Sequence, residues 1–277
     1  MNIVIRKHHF KVNPGQNKEA WDYINTGLWE PYTFDILDYF VKPNTTIMDI
    51  GAWSGVLSLY IAHKAQKVFS LDPDPVCFQE LQTNIKLNPI LAEKIFPYQT
   101  AISGKKETIQ LSARKTYGAS SSSILSRKKD TENSLKITAI SLFDFIIQEK
   151  IKQVDFIKMD VEGAEFKILP HIGLTIKELK YPTLYISFHY NFLNEHIYNK
   201  SIHSKFLNKV LLKLEKVIGF SFFKKKIKAA IQHLHDDLMI YEYIYTAKGD
   251  LVDKKILIEN PEFIKNHDLV FTNIKWK

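Results

Sequence analysis

Between Thr46 and Asn88 the chain reads as apolar strand, glycine turn, helix, strand and helix, and this alternation narrows the fold more than any other feature. "TTIMDI" has the apolar, β-branched character of a strand, and Val56 to Lys64 places Leu57, Tyr60 and Ile61 on one helical face. "KVFSLD" is expected as a second strand, and "PVCFQELQTNIKLN" as a helix opened by Pro75 and closed at Asn88 and Pro89. "KIFPYQT" is a third strand, kept short by Pro97. The pattern resumes with "VDFIKMDV" as a buried strand, "GAEFKILPHI" as a short helix and "PTLYISFHY" as a strand. A helical region follows over about 192 to 217, and "LMIYEYIYT" and "HDLVFTN" close the chain as strands. Alternation of this kind predicts an α/β fold, a parallel sheet with helices on both faces. "ETIQLS" and "LKITAI" bracket the serine run "GASSSSILSR" and are expected to form a hairpin or lid added to that sheet. Residues 1–40 are expected as an N-terminal cap and 41–277 as the main domain.

Composition sets outer bounds. A chain of 277 residues that is 45% hydrophobic and 13% aromatic has ample material for a packed core. No run approaches the ~18 apolar residues of a membrane span, and "MNIVIRKHHFKV" lacks the apolar segment of a signal peptide, so a cytoplasmic location is expected. The single cysteine, Cys77, excludes an internal disulfide framework and a cysteine-based zinc site, and is expected to serve packing. Lys plus Arg exceed Asp plus Glu by 38 to 30, giving a formal charge of +8 that weakly favours polyanionic partners. The excess is spread out except at Lys224, Lys225, Lys226 and Lys228, which read as the solvated face of a helix.

In a doubly wound sheet a ligand sits beyond the carboxyl ends of the strands, where the first strand-to-helix turn lies. Gly51 permits a positive φ there, and the missing side chains at 51 and 55 are expected to let backbone N–H groups and the helix close in on a ligand. "GAWSG" is not G-x-G-x-x-G and no G-x-x-x-x-G-K-[ST] loop occurs, which disfavours a pyrophosphate. Asp72 ends the second strand twenty-one residues past Gly51, where an acid commonly takes both hydroxyls of a ribose. A nucleoside without pyrophosphate points to S-adenosylmethionine. Asp49 suits that cofactor as well, as a carboxylate near its positive charge. The alternative is that Asp49 and Asp72 merely form turns at strand ends.

The chain resembles the FkbM family of S-adenosylmethionine-dependent methyltransferases over about residues 28–272. "DIGAWSGVLS" is similar to that family's glycine motif, and "LDPDPVCFQELQTNI" to its ribose-binding strand and following helix. "TAISGKKETIQL" resembles the segment that lines the adenine, "WEPYTFDIL" the segment before the glycine motif, and "KITAISLFDFI" with "VDFIKMDVEGAEFKIL" is the most specific match. The resemblance implies a Rossmann-like, mostly parallel seven-stranded sheet of class I methyltransferases. It also implies a cofactor-binding set of Glu30, Asp49, Gly51, Ala52, Gly55, Asp72, Pro73, Ala101 and Ser103. After Pro182 the sequence departs from the family pattern, where substrate choice would be set.

"IKMDVEGAEF" puts Asp160 at its strand's end and Glu162 on the turn after it, beside the expected cofactor crevice. Methyl transfer from a sulfonium is an in-line displacement, so a nearby group must orient the acceptor and share its proton. Asp160 is the first candidate and Glu162 the second; the competing role for each is to cap the helix starting near Gly163. His189 ends the next strand, and an imidazole there is a competent base near neutral pH, or else a structural histidine. A divalent ion shared by Asp160 and His189 is an alternative, but no metal is assigned. "HLHDD", 233–237, has neither the spacing of HExxH nor that of an EF-hand.

The acceptor is narrowed by what is missing. There is no [ND]PP[YF] tetrapeptide and no Pro-Cys pair, which excludes the usual amino-methylating and cytosine-C5 DNA enzymes. Methylation of a sugar hydroxyl, or of a glycosylated or other small-molecule acceptor, is the expectation, with Trp29, Tyr32, Trp53 and Tyr117 as candidate faces for a sugar ring. The alternatives are methylation of RNA ribose or another polyanion, prompted by the positive charge and by Lys158 beside Asp160, and a non-catalytic fold that binds the cofactor, or has lost it, and serves as a scaffold.

Overall fold

The computed structural model describes residues 1–113, 116–120, 122–125, 134–201 and 222–276. The chain opens with a hairpin of β1 (Asn2–Ile5) and β2 (His8–Lys11), then α1 (Lys18–Asn25) and α2 (Pro31–Phe40). Next come β3 (Thr46–Ile50), α3 (Val56–Ala62), β4 (Lys67–Leu71), α4 (Pro75–Lys86), α5 (Pro89–Ala92) and β5 (Ile95–Tyr98). β6 (Ala101–Ser103), β7 (Glu107–Ala113), β8 (Ser122–Ser123) and β9 (Ser134–Ser141) lead into α6 (Leu142–Gln148). The last part runs β10 (Phe156–Met159), α7 (Glu165–Ile168), α8 (Gly173–Glu178), β11 (Thr183–Ile186), α9 (Tyr190–Ser201), α10 (Phe222–Ile231), β12 (Tyr243–Thr246), α11 (Lys254–Glu259) and β13 (Leu269–Thr272).

Seven strands form the central sheet in the order β5-β4-β3-β10-β11-β13-β12. Only β13 runs against its neighbours. This is the doubly wound, mostly parallel sheet that the alternation predicts. The strands in its middle are buried on both faces, which is why β10 and β11 read as continuous apolar runs rather than alternating ones. Pro97 falls in β5, an edge strand, where a missing N–H breaks no ladder on the open side.

Two expectations change. The hairpin of β7 and β9 forms, with Glu107 opposite Ala139 and Ser112 opposite Ser134. It does not extend the central sheet, however: β6 pairs parallel with β9, so these strands make a separate four-stranded sheet, β6-β9-β7-β8. The second change concerns α3, which shows no exposed face at all, since all seven of its residues are buried. Residues 1–40 supply the cover: His8 and Phe34 both meet the Tyr60 ring edge-on, at 5.1 and 4.7 Å. Ser121 and residues 126 and 127 of the serine run, and residues 202–217 of the expected helical region, lie outside the described residues. Among the described residues no helix is long and apolar enough to cross a membrane.

Candidate functional site

β4, β3 and β10 lie side by side, so the turns after them meet at one end of the sheet. They border a cavity of about 470 Å³, within the ~300–1,000 Å³ usual for small-molecule sites. Glu30, Gly51, Ala52, Asp72, Pro73, Ala101, Asp160, Glu162 and His189 all line it. Asp49, Gly55 and Ser103 do not.

The Gly51 turn is built for packing before it is built for a ligand. Gly51 has φ +84°, and a Cβ there would overlap the Asp160 carbonyl oxygen. Gly55 has φ +95°, and a Cβ there would stand 2.7 Å from Leu81 Cδ1. The N–H groups of Gly51 and Ala52 both donate to the Leu71 carbonyl, at 2.9 and 3.0 Å, so neither is aimed at a ligand. The two glycines let β3 approach β10 and let α3 approach α4. The neighbouring strand β4 thus takes the first two amide donors of the turn.

Asp72 closes β4. Its Oδ2 accepts the Trp53 N–H at 2.8 Å and its Oδ1 accepts the Asp74 N–H at 2.9 Å. Each oxygen keeps a lone pair beyond these bonds, which fits a pair of vicinal hydroxyls. Burial pushes this carboxyl up to about 7 despite those two donors. Asp74 caps α4 through Val76 and Cys77 and also accepts from the Gly118 N–H and the Ser122 hydroxyl, tying both residues to the edge of the cavity. Trp53 completes this wall, with its indole N–H on the Gly118 carbonyl at 2.8 Å and its ring stacked on Trp21.

On the other side of the Gly51 turn, Lys158 is buried between Asp49 (3.5 Å) and Asp160 (3.4 Å) and donates to the Gly51 carbonyl. Burial opposes its charge, but Asp160 and Asp49 outweigh that and hold the ammonium protonated. Asp49 is therefore a fully buried counter-ion beneath the cavity, bound also by the Ser58 hydroxyl at 2.6 Å, and not a direct ligand group. Ser103 is likewise turned away, its hydroxyl donating to Glu107.

Sheet pairing brings His189 to the end of β10, with Nε2 at 3.4 Å from Asp160 Oδ1 and 3.6 Å from Glu162 Oε2. Its Nδ1 lies 3.2 Å from Oε1 of the fully buried Glu165, which also accepts the His189 backbone N–H. Burial works against a charged ring, but Glu165, Asp160 and Glu162 lift His189 to about 10. Three carboxylates thus surround the imidazole and favour its charged form. Burial raises Asp160, but Lys158 and His189 bring it below the ordinary aspartate value. Glu30 behaves oppositely: burial first, then Asp160, raise it to about 7. The residue before α7 is Ala164, which has no side chain able to cap that helix.

Glu30, Trp53 and Glu162 all hold positive φ (42°, 49° and 52°) while lining the cavity. Strain of this kind, about 1–3 kcal/mol each, persists where the surroundings enforce it. Of the aromatic residues expected near a sugar, Trp29 and Trp53 line the cavity; Tyr32 and Tyr117 do not. Glu165 was not legible, although an acid in the apolar run "GAEFKIL" is the signal that marks it. In "HLHDD", His233 is exposed beside Asp236, while His235 is buried against Phe188 and Phe271. The two imidazoles cannot share an ion.

Residues 49–215 match the family described as Methyltransferase FkbM domain. Among curated proteins the chain is similar to methyltransferase sdnD of Sordaria araneosa, 25% identical over 176 residues that cover 53% of this chain and 67% of that one. It is also similar to the ribosomal protein L11 methyltransferase of Carboxydothermus hydrogenoformans, 29% identical over 83 residues, 30% of this chain and 26% of the relative. The chain thus spans two thirds of the first relative and about a quarter of the second. A crystal structure of an FkbM methyltransferase from Methylobacillus flagellatus aligns at TM-score 0.37 and 20% identity, over 55% of this chain and 39% of that chain.

Proposed function

The chain belongs to the FkbM family of S-adenosylmethionine-dependent methyltransferases, and we propose that it methylates a hydroxyl of a sugar, or of a glycosylated or other small-molecule acceptor. The observation that carries this reading is one cavity with Asp72 on one side of the Gly51 turn and Asp160, Glu162 and His189 on the other. Asp72 holds the ribose hydroxyls, and Ala101 with Ile102 lines the adenine side. When bound, the cofactor supplies a methyl group on a positively charged sulfur.

The protein's residues then have two tasks at the acceptor. Asp160, kept ionised by Lys158 and His189, accepts the acceptor's O–H and aligns its oxygen for in-line attack. Glu30, raised to about 7 by burial and by Asp160, is a second cavity carboxyl that can receive that proton from Asp160 once the methyl group has transferred. Trp29 and Trp53 offer flat faces to a sugar ring. Glu30, Asp160, Glu162 and Glu165 outnumber Lys158 and His189 around the acceptor position, an electrostatic setting that favours a neutral acceptor over a phosphate-bearing one. A macromolecular acceptor is the competing reading, prompted by exposed Lys225, Lys226 and Lys228 on α10 and by the similarity to an enzyme named for ribosomal protein L11.

Calorimetric titration with S-adenosylhomocysteine tests the cofactor half. Micromolar binding is expected, roughly −8 kcal/mol, weakened at least tenfold by Asp72→Ala, since a hydrogen bond to a charged group contributes about 1.5–3 kcal/mol. Labelled cofactor offered with glycans and with RNA tests the acceptor half. Label in RNA, lost steeply with added salt, would replace the sugar reading. A well-folded protein that binds no S-adenosylhomocysteine would leave the scaffold.

A further inference from the structure

Asp160, Glu162 and His189 each present one ligand-type atom to a common point, and these atoms lie within 4.8 Å of one another. Donors held at ~2.0–2.2 Å from one ion stand roughly 3–4 Å apart, so the three need little movement to close on a cation. As they stand, Nε2 to Asp160 at 3.4 Å and Nε2 to Glu162 at 3.6 Å are too long for good hydrogen bonds. We propose that Asp160, Glu162 and His189 bind a single divalent cation of the Mn²⁺ type at the mouth of the cavity.

Groups outside the triad point to the same use. Glu165, fully buried, faces His189 Nδ1 at 3.2 Å and also accepts the His189 backbone N–H. A ligand histidine is typically held this way: an outer carboxylate takes the Nδ1 proton and fixes the ring, so that the entering ion displaces only the proton on Nε2. Lys158 sits against Oδ2 of Asp160, while the oxygen nearest His189 is Oδ1, so the lysine and the cation occupy different oxygens of one carboxylate. Two carboxylates and one imidazole form a mixed oxygen and nitrogen set, suited to Mn²⁺ more than to thiolate-seeking ions. Among the described residues no other such cluster of ligand-type residues occurs. On the methyltransferase reading, and resting on it, a bound ion would also take the acceptor hydroxyl and lower its pKa; the binding of the cation does not depend on that reading.

The test is titration of Mn²⁺ alone into the full chain after chelator treatment, with free Mn²⁺ followed by electron paramagnetic resonance. One ion per chain at micromolar Kd is expected, weakened at least tenfold in Glu162→Gln and in His189→Ala, and unchanged in Asp72→Ala. If His189→Ala fails to fold, Glu162→Gln decides. No binding up to millimolar Mn²⁺, or equal affinity in wild type and Glu162→Gln, overturns the proposal. Wild type that binds Mn²⁺ but not S-adenosylhomocysteine keeps the cation site and removes the methyltransferase reading; the reverse result does the opposite.

Discussion

Glu30 illustrates how a single residue in this cavity trades stability for chemistry. Its folded pKa is raised from 4.5 to about 7, chiefly by burial and then by Asp160. A group whose folded pKa lies above its unfolded value contributes stability that is fully present below the unfolded pKa and is lost as pH rises through the folded one. The loss for Glu30 therefore falls between about pH 4.5 and 7, and the ligand-free protein carries it in full above that range. Gln at this position keeps an acceptor for the Thr33 hydroxyl, now 3.1 Å from Oε2, without the buried charge. Urea unfolding of ligand-free Glu30→Gln should show a higher midpoint than wild type at pH 8 and little difference at pH 5. Equal gains at both pH values would mean that packing, not ionisation, is responsible. His189 adds a loss of the same sign further up the scale, from its unfolded value of 6.5 through about 10, because its imidazolium is held by Glu165, Asp160 and Glu162.

Among the elements, the β3–α3 junction should be the least tolerant of change. Gly51→Ala forces a Cβ onto the backbone carbonyl of Asp160 in a strand that cannot retreat, and adds the cost of a positive φ, about 1–2 kcal/mol. Gly55→Ala pays a similar backbone cost but meets only the end of the Leu81 side chain, which can rotate aside. Denaturant midpoints should therefore rank wild type above Gly55→Ala above Gly51→Ala, the last losing much of its folded population. Equal losses would show that backbone conformation alone, and not contact with β10, sets the requirement. The same junction shows where element-level reading succeeds and where it stops. The need for glycine at 51 is legible from a strand running into a helix. That the need comes from the Asp160 carbonyl is not, because Asp160 lies more than a hundred residues along the chain.

Across the whole molecule, two buried clusters sandwich the central sheet, and residues 1–40 furnish much of one of them. Ile3, Ile5, Phe10, Trp21 and Phe34 share that cluster with Leu59, Tyr60 and Phe156. Trp21, fully buried, stacks on Trp53, whose own N–H is bonded to Asp72. Trp21→Ala should cost about 3–5 kcal/mol in unfolding and also weaken S-adenosylhomocysteine binding under conditions where the variant remains folded. Loss of stability with unchanged affinity would uncouple the N-terminal layer from the cavity. Local patterning by itself determined the strand and helix alternation, the parallel sheet, the glycine turn and the acids at the ends of β4 and β10, because hydrophobic period and turn chemistry act over a few residues. Only the tertiary structure decided that Asp49 is a buried counter-ion, that β7 and β9 leave the central sheet, and that Glu165, Asp160 and Glu162 surround His189. Those outcomes depend on charges and carbonyls brought together across strands distant in sequence, and neither solvent exclusion nor the field at a site is a property of a short segment.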